Sequence, residues 1–203
     1  MTLAALWMYA PAWRRLDAAG LRWMYAQTPD RLIPWAEALT HAGGLPVAIP
    51  IAVALAGVLW RRGQRPAAIT WGAGFLGGQI LVLGLKLIFN RTRPHAPDLL
   101  MQDFSFPSGH AFTAVLLYGA LSYGGWIRWS AAWSRGLLAL ATGLLIGTIG
   151  WSRLVLRVHY PTDVVGGYLL GIAWLALLWV ALHRWGAVEP KKLAVGSSTR
   201  SRL

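Results

Sequence analysis

Ser152-Arg153-Leu154-Val155-Leu156-Arg157-Val158-His159-Tyr160-Pro161-Thr162-Asp163 places two arginines, a histidine and an aspartate where one apolar segment ends and another begins. Charge at such a junction is costly to take out of water unless it is paired or used. Pro161 suits the first turn of a new helix, and Thr162 and Asp163 are early-turn residues. His159 lies four positions before Asp163, close enough for the carboxylate to hold its ring. A histidine oriented by an aspartate serves as a base or as a nucleophile. Taken singly, the same residues also suit a solvated ion cluster at a membrane surface, so the rest of the chain has to decide.

Composition places that junction in a bilayer. The chain has 203 residues, of which 56% are hydrophobic and only 13% charged, and it carries 13 Trp. Such a chain is greasier and more aromatic than a soluble domain of its size. It contains no Cys, which excludes disulfides, thiolate metal sites and a cysteine nucleophile. The net charge of +12 would point to nucleic acid in a soluble protein; in a membrane protein it is read by position, and no nucleic-acid partner is expected. Only seven acids are present, with none between Glu37 and Asp98 or between Asp103 and Asp163. That scarcity argues against a multi-carboxylate metal centre, and neither metal nor cofactor is expected.

The hydropathy pattern predicts an all-α, polytopic transmembrane bundle of about five spans, over 39–60, 67–90, 107–127, 136–156 and 162–183. Each is near the length of about 20 residues that crosses the hydrocarbon. Residues 1–38 read as interfacial amphipathic helices broken near Pro29, 39–186 as the membrane domain, and 187–203 as a basic cytoplasmic tail. The opening 13 residues are apolar but too short to span, and lack the pattern of a signal peptide. Arg61, Arg62, Arg65, Arg128, Arg135, Arg184, Lys191, Lys192, Arg200 and Arg202, ten of the nineteen basic residues, fall on one side of this bundle. The positive-inside rule makes that side cytoplasmic. Trp60, Trp126, Trp129, Trp133 and Trp185 gather there as an aromatic belt. A five-span count leaves Arg14, Arg15, Arg22 and Arg31 outside, whereas a sixth, hidden span near the N-terminus would move the first of them in. Nothing in the pattern specifies an oligomeric state.

The opposite, extracytoplasmic side collects Lys86, Arg91, Arg93, Arg153 and Arg157 against the inside rule, and an anionic ligand is the simplest reason. Lys86-Leu-Ile-Phe-Asn-Arg-Thr-Arg93-Pro94 sets a lysine about two turns before an arginine, on one side if the helix runs that far. Phe106-Pro107-Ser108-Gly109-His110 opens the third span with residues that leave backbone N–H groups uncovered at the positive end of the dipole. His110 then projects from the first turn toward whatever those groups hold. Arg91 and Arg157 read as auxiliary charge, and His41, His95 and His183 as interfacial packing.

Together, Lys-x6-Arg-Pro, Pro-Ser-Gly-His and Ser-Arg-x5-His-x3-Asp, in this order, resemble the three signature motifs of the type 2 phosphatidic acid phosphatase superfamily, closely over residues 67–167. The resemblance implies a phosphate held by Lys86, Arg93, Ser108, the Gly109 backbone and Arg153. It implies that His159 attacks phosphorus to give a phosphohistidine, that Asp163 orients it, and that His110 protonates the leaving oxygen and then activates water. Many relatives carry glycine where this chain has Arg157, so an extra cation here would favour a diphosphate. The expected protein is a metal-independent lipid phosphatase of the inner membrane with its site on the extracytoplasmic side, acting on undecaprenyl pyrophosphate. Phosphatidylglycerol phosphate, phosphatidic acid and lipid A phosphates are alternative substrates, and a phosphotransferase would use the same residues. A transporter or a non-catalytic anion-binding scaffold is a different class; a transporter would show inverted repeats meeting at the midplane, which this chain lacks.

Overall fold

The computed structural model describes residues 10–94 and 104–184. The expected basic tail, His95, Trp185 and the first nine residues lie outside the described residues. Seven helices follow in order: α1 (Pro11–Gln27), α2 (Ile33–Thr40), α3 (Leu45–Arg61), α4 (Arg65–Phe89), α5 (Gly109–Trp126), α6 (Ala132–Val155) and α7 (Pro161–Arg184). Short 3-10 turns, Asp30–Leu32 and His41–Gly43, flank α2. Among the described residues there is no strand, and the chain is an all-α membrane bundle.

Proline does much of the punctuation. Pro11, Pro34, Pro46, Pro66 and Pro161 each stand within the first two residues of a helix, where a missing N–H costs no hydrogen bond. The expected first span, 39–60, is corrected by this rule. Gly44 is extended (φ −81°, ψ 152°) and Pro46 restarts the helix, so α3 begins only at Leu45. Residues 39–43 instead close α2 and its 3-10 turn.

Among the described residues, four helical stretches are long and apolar enough to cross a membrane: Asp30–Arg61, Arg65–Phe89, Ala132–Val155 and Pro161–Arg184. The fifth expected span is α5, which packs against α7, α6, α3 and α4 and buries a continuous run from Ala111 to Leu117. A helix enclosed by its neighbours needs no lipid-compatible surface. Its buried turns therefore tolerate Thr113, whereas Tyr123, nearer the other end of the helix, is exposed.

Helix α4 shows how position selects residue type in this bundle. Ala67, Trp71, Gly74, Gly78, Val82 and Lys86 recur every three or four residues and are buried. Ile69, Leu76, Ile80, Leu83 and Leu87 recur on the other side and are exposed. Lipid is as apolar as leucine, so helices associate through small residues that permit close approach rather than through hydrophobic burial. Gly167 and Gly171 of α7 do this against α5. A Cβ on Gly167 would stand 2.5 Å from the Ser108 carbonyl oxygen and 2.9 Å from the Ala111 Cβ. Gly74 and Gly78 of α4 similarly receive Leu178, Trp174 and Phe112.

The two ends of the bundle differ in chemistry. One carries Arg65 over the Trp60 ring and Arg135 over the Trp126 ring, with Trp129 and Trp133 exposed beside them. The other carries the ends of α4 and α6 and the starts of α3, α5 and α7. There α1 and α2 are fastened to α6 by an apolar cluster of Met24, Ala36 and Val155. Gly167→Ala should push α7 off the first turn of α5 and cost about 1–3 kcal/mol, measured as a lower thermal midpoint of the detergent-solubilised protein.

Candidate active site

Helix α4 stops at Phe89 because Asn90 turns left-handed (φ 47°) and its N–H closes on the Lys86 carbonyl at 2.9 Å. The expected continuation of one helical face from Lys86 to Arg93 is thus corrected. The chain reverses beyond Asn90, and Arg93 reaches the same place from a loop. Its Nη1 donates to the Val158 carbonyl at 3.1 Å, tying that loop to the backbone next to His159. Lys86 is buried on the inner stripe of α4 and donates to the Phe104 carbonyl at 2.6 Å.

Helix α5 starts at Gly109 with Ser108 as its cap, the Ser108 Oγ accepting from the Ala111 N–H at 3.5 Å. The Ser108 backbone N–H donates to the Asp163 carbonyl at 3.0 Å, so this turn is registered against the first turn of α7. Ser108 is fully buried, whereas Gly109 and His110 face a cavity. That cavity, about 450 Å³, is lined at its polar end by Lys86, Arg93, Gly109, His110 and His159, and continues past Gln79 and Thr113 to Leu45, Ile80 and Leu83. The last three are exposed residues of α3 and α4. The polar chamber therefore opens sideways toward the surface that the bundle presents to lipid.

His159 is 1% exposed and Asp163 wholly buried. The Asp163 Oδ2 accepts the Tyr160 backbone N–H at 2.8 Å and lies 3.5 Å from His159 Nδ1, at the outer edge of hydrogen bonding. Nδ1 faces the carboxylate, which leaves Nε2 as the free ring nitrogen. Burial, reinforced by the Arg93 and Arg153 charges and opposed by Asp163, lowers the His159 pKa from 6.5 to about 4. The ring is neutral at pH 7.

Of the eight expected site residues, Lys86, Arg93, Gly109, His110 and His159 share the cavity wall. Asp163 stands behind His159, and Ser108 is engaged as a helix cap. Arg153 approaches from α6, and its Nη1 donates to Thr40 Oγ1 at 2.7 Å. One residue read from sequence as auxiliary charge and one that no motif includes are both buried behind the site. Arg91 is 6% exposed rather than auxiliary surface charge, and forms ion pairs with Asp163 at 2.6 Å and with Asp17 at 2.5 Å. Burial opposes its charge, yet the two carboxylates outweigh that and raise its pKa. Asp17, from α1, is 1% exposed and was not singled out by any local pattern. A second cavity, about 430 Å³, lies beside Asp17, Arg91 and Tyr160 and is lined by neither histidine.

Arg157 also departs from expectation. Its guanidinium lies 4.5 Å from the centre of the Tyr25 ring, and it does not line the histidine cavity. Its backbone is left-handed (φ 58°), a conformation that favours glycine. Among the described residues, no group of three or more His, Asp or Glu side chains converges as a metal-ligand set.

Residues 67–187 match the PAP2 superfamily, and the chain belongs to that family of membrane lipid phosphatases. It is 36% identical over 141 residues to the decaprenylphosphoryl-5-phosphoribose phosphatase of Mycolicibacterium smegmatis, covering 65% of this chain and 69% of that one. It is 31% identical over 155 residues to phosphatidylglycerophosphatase B of Bacillus subtilis, covering 68% and 71%. Among solved structures, a transmembrane PAP2-type phosphatidylglycerolphosphate phosphatase from Bacillus subtilis superposes with a TM-score of 0.76 at 26% identity, over 89% of this chain and 90% of that one.

Because the folded His159 pKa is about 4 and the ordinary value 6.5, the unfolded chain takes up a proton that the native site refuses. The stability due to neutral His159 is complete above pH 6.5 and is lost as pH falls toward 4. The thermal midpoint of His159→Asn should therefore fall less than that of the wild type over this interval. Arg157→Gly, which gives the left-handed position its favoured residue and removes only the Tyr25 contact, should keep phosphatase turnover within about threefold of wild type.

Proposed function

We propose that this protein is an inner-membrane phosphatase that hydrolyses undecaprenyl pyrophosphate to undecaprenyl phosphate on the extracytoplasmic side, through a phosphohistidine. The observation that carries the reading is the shared cavity of His110, His159, Lys86 and Arg93, one wall of which is made of lipid-facing Leu45, Ile80 and Leu83. A lipid can keep its tail in the bilayer while its headgroup enters such a chamber from the side.

In this reading the phosphoryl oxygens are neutralised by Lys86, Arg93 and Arg153 and by the N–H groups at the start of α5 from Gly109 onward, with Ser108 capping that turn. Cations and backbone dipoles fixed in a site of low dielectric stabilise charge that develops in the transition state, without a metal. His159 Nε2 attacks the terminal phosphorus, and the bond from phosphorus to the bridging oxygen breaks. His110 gives a proton to that oxygen, and undecaprenyl phosphate leaves. Water then attacks the phosphohistidine while His110 takes its proton; the N–P bond breaks and inorganic phosphate departs. Asp163 holds the His159 ring and offsets the positive charge it gains on attack.

A polyprenyl substrate has support in the relatives. Besides the mycobacterial enzyme above, the chain is 31% identical over 156 residues to a putative undecaprenyl-diphosphatase of Escherichia coli, over 71% of this chain and 72% of that one. The site side is inferred from Arg61, Arg62, Arg65, Arg128 and Arg135, which lie at the opposite end of the bundle from the histidines.

His159→Ala should lower phosphate release from detergent-dispersed undecaprenyl pyrophosphate at least about 10³-fold, and turnover near wild type would refute the nucleophile assignment. EDTA should leave the rate within about twofold, because the charge stabilisation is assigned to fixed cations. In a parallel substrate panel, phosphatidylglycerol phosphate turned over faster than the polyprenyl pyrophosphate would overturn the substrate assignment. Since the chain contains no Cys, single cysteines at Gly63 and Thr92, both exposed, give a direct topology test. An impermeant thiol reagent applied to intact cells should spare the former.

A further inference from the structure

Asp17 is a carboxylate brought by an interfacial helix to the back of a membrane-embedded site, and it is 1% exposed. Four contacts hold it there. Its Oδ2 pairs with Arg91 Nη2 at 2.5 Å and accepts from the Thr162 hydroxyl at 2.7 Å. Its Oδ1 accepts the Thr162 backbone N–H at 3.0 Å. The fourth contact is made by the helix itself, since Gly20 lies so close to Pro161 that a Cβ there would stand 2.7 Å from the Pro161 Cγ.

Each contact has a consequence for the histidine. The first-turn N–H groups of a helix have no partner within it, and a carboxylate at that end also meets the positive pole of the dipole. Asp17 thus caps α7 from another helix, at the residue adjacent to Asp163. Arg91 spans the two acids: its Nη2 meets Asp17 while its Nη1 meets Asp163 Oδ1 at 2.6 Å and Thr162 Oγ1 at 2.8 Å. The planar guanidinium fixes the distance and orientation between them, as a lysine would not. With Oδ1 held by Arg91 and Oδ2 taking the Tyr160 N–H, the Asp163 carboxylate has one orientation, with Oδ2 toward His159.

Charge leads to the same residue. Arg91 alone would neutralise Asp163 and leave nothing to stabilise a positive imidazole. With Asp17 present, the Asp17–Arg91–Asp163 set carries a net negative charge on three buried side chains, where such a charge acts more strongly than in water.

We infer that Asp17 is a positioning residue for the phosphatase reaction: through Arg91 and the cap of α7 it holds Asp163 in the orientation that His159 requires, and it supplies the carboxylate that offsets Arg91. The inference rests on the phosphohistidine reading above. It extends the working site to an N-terminal helix outside the segment, 67–187, that carries the family match.

Asp17→Asn preserves shape and hydrogen-bonding reach while removing the charge. With undecaprenyl pyrophosphate in detergent it should lower kcat about 10- to 100-fold, the scale on which outer partners of active-site ligands act. KM should change less than about threefold, because the residue does not line the substrate cavity. In an Asp163→Asn background the same change should add less than about threefold, since groups that act as one unit are not additive. A kcat within twofold of wild type, or an undiminished loss in the double variant, overturns the inference. If Asp17→Asn does not give monodisperse protein, Arg91→Lys decides. It keeps the charge and loses the fork, so a kcat within twofold of wild type sinks the proposal and a loss of tenfold or more upholds it. His159→Ala is measured beside these variants. Full activity there removes the phosphohistidine reading itself, whereas an inactive His159→Ala beside a fully active Asp17→Asn removes only the function assigned to Asp17.

Discussion

A buried carboxylate in a membrane protein must have all of its lone pairs answered, and the structure converges on the way Asp163 meets that requirement. Its side chain takes the Tyr160 N–H and the Arg91 guanidinium and faces the His159 ring, while its backbone carbonyl takes the Ser108 N–H. One residue thereby joins the loop after α4, the first turn of α5 and the turn between α6 and α7. An unanswered charge in such surroundings costs several kcal/mol, so these segments are held in mutual register by electrostatics at the site itself. The helices around it need only bring them within reach.

They do so by an economy of volume. Glycines 74, 78, 167 and 171 let α4 and α7 approach α5 and one another at distances that a methyl group would prevent. The large aliphatic side chains point outward, with Leu76, Ile80, Leu169 and Leu177 all exposed. The inward stripe of α4 that begins with Ala67 and Trp71 ends with Lys86, so the packing that draws the helices together also delivers a cation to the cavity.

Local pattern made much of this legible. The all-α bundle, the helix start at Pro161, and the meeting of Lys86, Arg93, His110 and His159 are legible in hydropathy and in motifs a few residues long. What escaped is non-local. Asp17 is 145 residues from Thr162 in the chain and 74 from Arg91, and nothing in its neighbourhood distinguishes it from an interfacial charge. A hint existed in the scarcity of acids: with seven in the whole chain, one placed on an amphipathic helix between Leu16 and Leu21 merited a partner. Arg91 was misread for the same reason, because surface charge and buried charge look alike until the opposing carboxylates are placed. The left-handed turn at Asn90 ends α4 at Phe89, within one residue of the expected end of the span, and leaves Arg93 on a loop rather than on the helical face.

The sideways opening of the histidine cavity past Leu45, Ile80 and Leu83 has a kinetic meaning. Such a chamber is filled by diffusion in two dimensions, so its occupancy follows the mole fraction of a compound among its neighbouring lipids and not the amount per volume of solution. Water-soluble phosphates have to arrive against that geometry. Access by that route favours a phosphate that is attached to a membrane anchor over one that is free in solution.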